Sequence, residues 1–199
     1  MLLTVTGSSC SGKTTAVRAC GPVPGVVWHD FDEIGVPDDA GTAWRHRCTE
    51  EWIRRALDYQ DRGLDMLLTG QSPLGEVLAV PSADRLDGIT ACLLDVDDEV
   101  RRLRLRERGV GPDAERAFLG WAQWQRAHAA DPRHCPEAIT TGGWEPMRWD
   151  RWSDWTSDDP RWAVTVIDTT GRSVGESAAD LRRWIEARHR QRGPNQDRA

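Results

Sequence analysis

Residues 7–14 read Gly-Ser-Ser-Cys-Ser-Gly-Lys-Thr, directly after the apolar run Leu2-Leu3-Thr4-Val5-Thr6. No other stretch constrains the chain so tightly. Gly7 and Gly12 free the backbone to curl, so the N–H groups of Ser8, Ser9, Cys10 and Ser11 can turn inward around one anion. A helix starting at Lys13 and running through Thr14 and Thr15 adds the positive end of its dipole. In this pattern the lysine reaches the outer phosphates of a nucleoside triphosphate, and the Thr14 hydroxyl stands ready for Mg²⁺. The pattern needs a strand before it and a helix after it, and both are legible here.

Composition sharpens this reading. The chain has 26 Lys and Arg residues, but its only lysine is residue 13. A codon bias toward Arg accounts for the excess of Arg; it does not account for where the lysine sits. With 32 Asp and Glu the net charge is −6, so no nucleic-acid or membrane partner is expected. No apolar stretch is long enough to span a bilayer, and the opening MLLTVTG lacks the basic and hydrophobic regions of a secretory leader. The cysteines at 10, 20, 48, 92 and 135 form no C-x-x-C pair, so free thiols and a cytoplasmic setting are expected. Cys10 either lends only its N–H to the loop or acts as an oxidation-sensitive group within it.

Along the chain, strands at 2–6, 26–29, 66–69, 89–95 and 162–168 alternate with helices at 13–20, 42–62, 98–108, 113–130 and 174–190. In the 42–62 segment, Trp44, Cys48, Trp52, Ala56 and Tyr59 recur at helical spacing, and Gly63 stops it. This alternation predicts an α/β chain of the three-layer P-loop NTPase class. It has a five-stranded parallel sheet with helices on both faces, a lid and a Trp-rich insertion. Residues 1–192 are read as one domain, with the lid and acceptor region at about 101–161, and 193–199 as a flexible tail. Ligands of such sheets bind beyond the carboxyl ends of the strands, where Gly7, Asp30, Gly70, Asp95 and Asp168 fall.

A phosphate loop alone does not say what becomes of the triphosphate. A GTPase switch reads its base with an N-K-x-D motif, which needs a second lysine. A motor ATPase usually carries an acid at a strand end, whereas the third strand here ends Leu67-Leu68-Thr69-Gly70. The second strand instead ends in Asp30-Phe31-Asp32. One carboxylate there can order the metal while the other orients and deprotonates an alcohol. Asp32 is read as the base and Asp30 as the metal's neighbour, with the reverse left open.

On these residues the chain resembles the small-molecule branch of the nucleoside-monophosphate-kinase-like superfamily, that is, shikimate kinase, gluconate kinase and chloramphenicol phosphotransferase. Asp95 to Arg108 is similar to that group's D-x-x-x-E-V-x-x-x-R-L-x-x-R stretch, which implies that Arg104 and Arg108 approach the transferring phosphoryl group or the adenine. Gly70-Gln71-Ser72-Pro73 falls where relatives carry an acceptor loop, so Gln71 and Ser72 are candidate acceptor contacts. Asp168 and Thr169 resemble the loop beside adenine. Arg45 and Arg47, early in the long helix, are read either as contacts for an acidic acceptor or as surface ion pairs.

Trp144, Trp149, Trp152, Trp155 and Trp162 crowd into a span that matches nothing in that superfamily. They form a substrate wall, a small core fastening an irregular loop, or a dimer face. His128, His134 and Cys135 follow no standard zinc spacing. The combined expectation is a kinase using ATP and Mg²⁺, acting as a monomer or homodimer on a small-molecule hydroxyl, such as an antibiotic or nucleoside-like compound. A nucleotide kinase of primary metabolism and a non-catalytic nucleotide-dependent regulator are the alternatives. ATP and GTP are not distinguished.

Overall fold

A computed structural model describes residues 1–191. The tail expected at 193–199 lies outside the described residues. Five strands, β1 (Leu2–Thr6), β2 (Val26–Asp30), β3 (Asp65–Thr69), β4 (Ile89–Asp95) and β5 (Val164–Asp168), form one sheet in the order β2-β3-β1-β4-β5. Every pairing is parallel. The continuously apolar β1 is central because both of its faces are covered, and all five of its residues are buried.

Side-chain alternation sorts the core into layers. Leu3 and Val5 of β1 and Leu67 of β3 point to the face covered by α1 (Lys13–Cys20) and α7 (Val174–Gln191), packing on Val17, Leu181 and Ile185. Leu2, Met66 and Leu68 point to the opposite face. There α2 (Thr42–Asp61) buries Trp52, Ile53, Ala56 and Leu57 against them, from the side with the 3.6-residue apolar spacing.

The remaining helices are α3 (Leu74–Ala79), α4 (Asp98–Glu107), α5 (Pro112–Ala130) and α6 (Glu137–Thr140). Neither α3 nor α6 is legible in the sequence, since each is too short to display a helical period. Burial of Leu74, Val77 and Ala79 holds α3 in place.

The Trp-rich segment forms a small core that fastens an irregular loop. Trp152 and Trp162 are buried with Ile139, Leu74 and Ala91. Their rings pack at a centroid distance of 5.4 Å, with Trp155 on Trp162 at 6.5 Å. His128 lies inside this cluster, stacked on Trp124 at 4.5 Å and edge-on to Trp162 at 5.1 Å. Burial pushes its imidazole down to about 4, against a smaller upward pull from the His134 backbone. All five cysteines are free thiols. Among the described residues no helix is long and apolar enough to cross a membrane.

Candidate active site

The loop between β1 and α1 curls as its glycines require. Gly7 has φ +152°, and a Cβ there would sit 2.3 Å from the Leu94 carbonyl oxygen; Gly12 has φ +94°. Cys10 also has a positive φ, 64°, an uncommon state for a residue with a side chain. The curl is braced from outside. Ser8 Oγ donates to Phe118 O of α5 at 2.8 Å, Arg101 Nη1 donates to Ser9 O at 2.6 Å, and Arg104 Nη1 to Cys10 O at 3.1 Å.

Lys13 lies along the inside of the loop, its Nζ 2.6 Å from Gly7 O and 3.2 Å from Ser8 O. Burial and the nearby Arg101 charge push its ammonium down to about 8, while Asp30 and Asp32 pull the other way. An added phosphate would favour the charged form and draw it outward.

The end of β2 is fixed by a reciprocal cap. Asp30 Oδ1 accepts from the Asp32 N–H at 3.2 Å, and Glu33 Oε1 accepts from the Asp30 N–H at 2.9 Å. The other Asp30 oxygen, Oδ2, accepts from Thr14 Oγ1 at 3.2 Å and from Thr69 Oγ1 at 3.1 Å. Thr69 stands opposite Asp30 in the β2–β3 register, so the sheet carries this hydroxyl to the carboxylate. Thr69 carries no signal in the sequence, since only the sheet register sets it beside Asp30. The Thr14 and Asp30 oxygens would suit Mg²⁺, which keeps most of its shell as water and substrate phosphate and needs few protein ligands.

Two cavities flank the loop. The first, of about 320 Å³, opens between the loop, the β2 end, the start of α2 and the β3 end. Asp30, Asp32, Lys13, Thr14, Thr15, Ser9, Arg45, Gly70, Gln71, Ser72 and Arg108 all line it, as do Phe31 and Trp44, which no motif announces. Gly70 is required by close approach, since a Cβ there would lie 3.0 Å from Phe31 Cβ. The Asp32 side chain faces solvent on this wall. Partial burial and the Asp30 charge hold its carboxyl above the usual range, against Lys13.

The second cavity, of about 250 Å³, lies between the loop, α4 and the start of α7. Ser11, Gly12, Arg104, Arg108 and Thr169 line it, with Ala16, Val174 and Arg172 as additional wall. Cys10 and Arg108 reach both cavities. On α4, Arg101 and Arg104 face the loop, whereas Arg102 and Arg106 pair with Glu115. Positions 101 and 104 share one face of the helix and 102 and 106 another, at three- and four-residue steps.

Some expected residues lie elsewhere. Gly7 and Ser8 shape the loop without lining either cavity. Asp168 turns away, its Oδ1 accepting from the Thr170 N–H at 2.8 Å, because a carboxylate beside a turn captures the nearest backbone donor. Thr169 takes the place by the loop instead, its Oγ1 lying 3.2 Å from Ser11 O and 2.9 Å from Asp95 O. Arg45 lines the first cavity but is paired with the buried Glu76, and Arg47 points to solvent.

No protein-family model and no curated protein matches the chain. Among solved structures it is similar to an unliganded sugar kinase from Janibacter sp. HTCC2649. The TM-score is 0.59 at 13% identity, over 93% of this chain and 94% of that one. It is also similar to a provisionally assigned kinase from Chloroflexus aurantiacus J-10-fl, with TM-score 0.51 and 13% identity over 94% and 96% of the two chains. A thymidylate kinase from Candida albicans scores 0.48 at 11% identity over 94% and 91%, too low to add weight. At such identities the first two likenesses establish a shared three-layer α/β fold.

Proposed function

We propose that the chain is a phosphotransferase that moves the γ-phosphoryl group of ATP to a hydroxyl of a small molecule. One observation carries the reading: Lys13, the Thr14–Asp30 pair and Asp32 open together on a single cavity beside the curled loop. In the proposed reaction the loop amides and Lys13 hold the β- and γ-phosphates, with Arg104 and Arg108 at the rim to offset charge on the transferring group. Asp32 accepts the proton of the acceptor hydroxyl as its oxygen bonds to the γ-phosphorus, and the bond to the β–γ bridging oxygen breaks to release ADP. Mg²⁺, held beside Thr14 and Asp30, would neutralise phosphate charge. The base of the nucleotide is assigned to the α7-side cavity, whose wall includes Ala16 and Val174.

The Asp32→Asn variant tests the reading. Loss of a positioned general base lowers turnover by about 10²–10⁴-fold. Binding of the magnesium nucleotide, measured by calorimetry, should stay within a few-fold of the parent. Lys13→Ala should weaken both. Unchanged turnover in Asp32→Asn would remove the proposed base and favour a non-catalytic nucleotide-dependent regulator.

A further inference from the structure

We infer that the acceptor bears no anionic group and is an uncharged, ring-bearing alcohol. This rests on the phosphotransferase reading and adds the charge and shape of the molecule it would act on.

Recognising a carboxylate or phosphate takes a cation free to face it, most often an Arg fork. Apart from Lys13 of the loop and Arg108 of the lid segment, the cation lining the β2-side cavity is Arg45. Its fork is already engaged. Nε lies 2.9 Å from each Glu76 oxygen, and Nη2 contacts Oε1 of the same carboxylate. Glu76 is wholly buried, and its Oε1 also lies 3.1 Å from Nε2 of the equally buried His46. Burial would raise the Glu76 carboxyl, but Arg45 and His46 together hold it below the usual range, so Glu76 keeps the negative charge that engages Arg45.

Turning Arg45 toward an incoming anion would strand a buried carboxylate without its principal partner. The guanidinium also lies 5.3 Å from the Trp121 ring centroid, which further fixes its orientation. What Arg45 still offers is Nη1, a donor suited to a hydroxyl or carbonyl oxygen. The carboxylates that line the cavity, Asp30 and Asp32, are negative and repel an anion. Trp44 presents a flat apolar surface, and Gln71 and Ser72 bring polar groups. The volume of about 320 Å³ admits the terminal phosphate together with a ring-sized acceptor.

The test is a matched acceptor panel with magnesium ATP and the intact protein. It uses a cyclic polyol, a benzylic alcohol and a nucleoside, each beside a derivative carrying a carboxylate or phosphate. The neutral members should exceed their anionic counterparts in kcat/KM by at least about tenfold. In Glu76→Gln, which releases Arg45, that ratio should fall by about tenfold or more. The parent panel decides the matter on its own if the variant does not fold. Equal or better turnover of the anionic members overturns the charge inference and leaves the kinase reading standing. No transfer to any member, although magnesium nucleotide binds, overturns the kinase reading and the inference with it.

Discussion

At the scale of single residues, Lys13 illustrates how burial and charge shape one group. Its ammonium is pushed down to about 8 from an ordinary 10.5 by burial and Arg101. Between those values the unfolded chain binds a proton that the folded chain lacks. This residue therefore adds folding stability as pH rises through that window and costs stability below it. Phosphate reverses the preference, so nucleotide binding above pH 8 should take up as much as one proton. Affinity should then fall by about tenfold per pH unit there. Calorimetry in two buffers of different ionisation enthalpy reads the uptake directly, and a pH-independent affinity from 8 to 10 would count against it. Lys13 and both aspartates were legible because their chemistry is tied to local spacing. Thr69 and Glu76 were not, since each acts on a partner that only the sheet register or helix packing brings near.

At the scale of elements, the five strands and the longer helices follow from period and punctuation, with ends that shift by a residue or two. The Trp-rich stretch does not, because its tryptophans find partners on α3 and α5 instead of on a repeating face of their own. Its order depends on a glycine in α3. A Cβ at Gly75 would lie 2.8 Å from Trp152 Cζ2 and 3.1 Å from His128 Nε2. Gly75→Ala should therefore overpack the cluster and destabilise the protein by about 1–3 kcal/mol. The shift would be read as a lower urea midpoint, with an unchanged slope if the compactness of the two states is unaltered. Because Glu76 is the next residue, the same variant should also disturb the Arg45 pair and lower acceptor turnover more than nucleotide binding.

At the scale of the whole molecule, the curled loop between β1 and α1 is held by contacts from far along the chain. α4 and α5 supply Arg101, Arg104 and the Phe118 carbonyl, and Asp95 ties Arg101 to Arg126 of α5. A ligand in the loop should therefore stabilise the global fold. Magnesium ATP at a hundred times its Kd should add about 2.7 kcal/mol, which raises the Tm of a chain this size by about 5–10 °C. A scanning-calorimetry trace that does not move would argue against nucleotide binding, and Lys13→Ala should show a much smaller shift. The amino-acid sequence by itself determined the glycine-hinged loop after β1 and the acidic strand end, because each depends on neighbouring residues, and the parallel α/β layering, because strands and helices alternate along the chain. Only the tertiary structure decided that Arg45 is neutralised by Glu76, that Asp168 turns away while Thr169 braces the loop, and that the tryptophans form a core. Those outcomes hang on which distant side chain reaches a buried charge or ring first, and the packing of separate elements sets that distance.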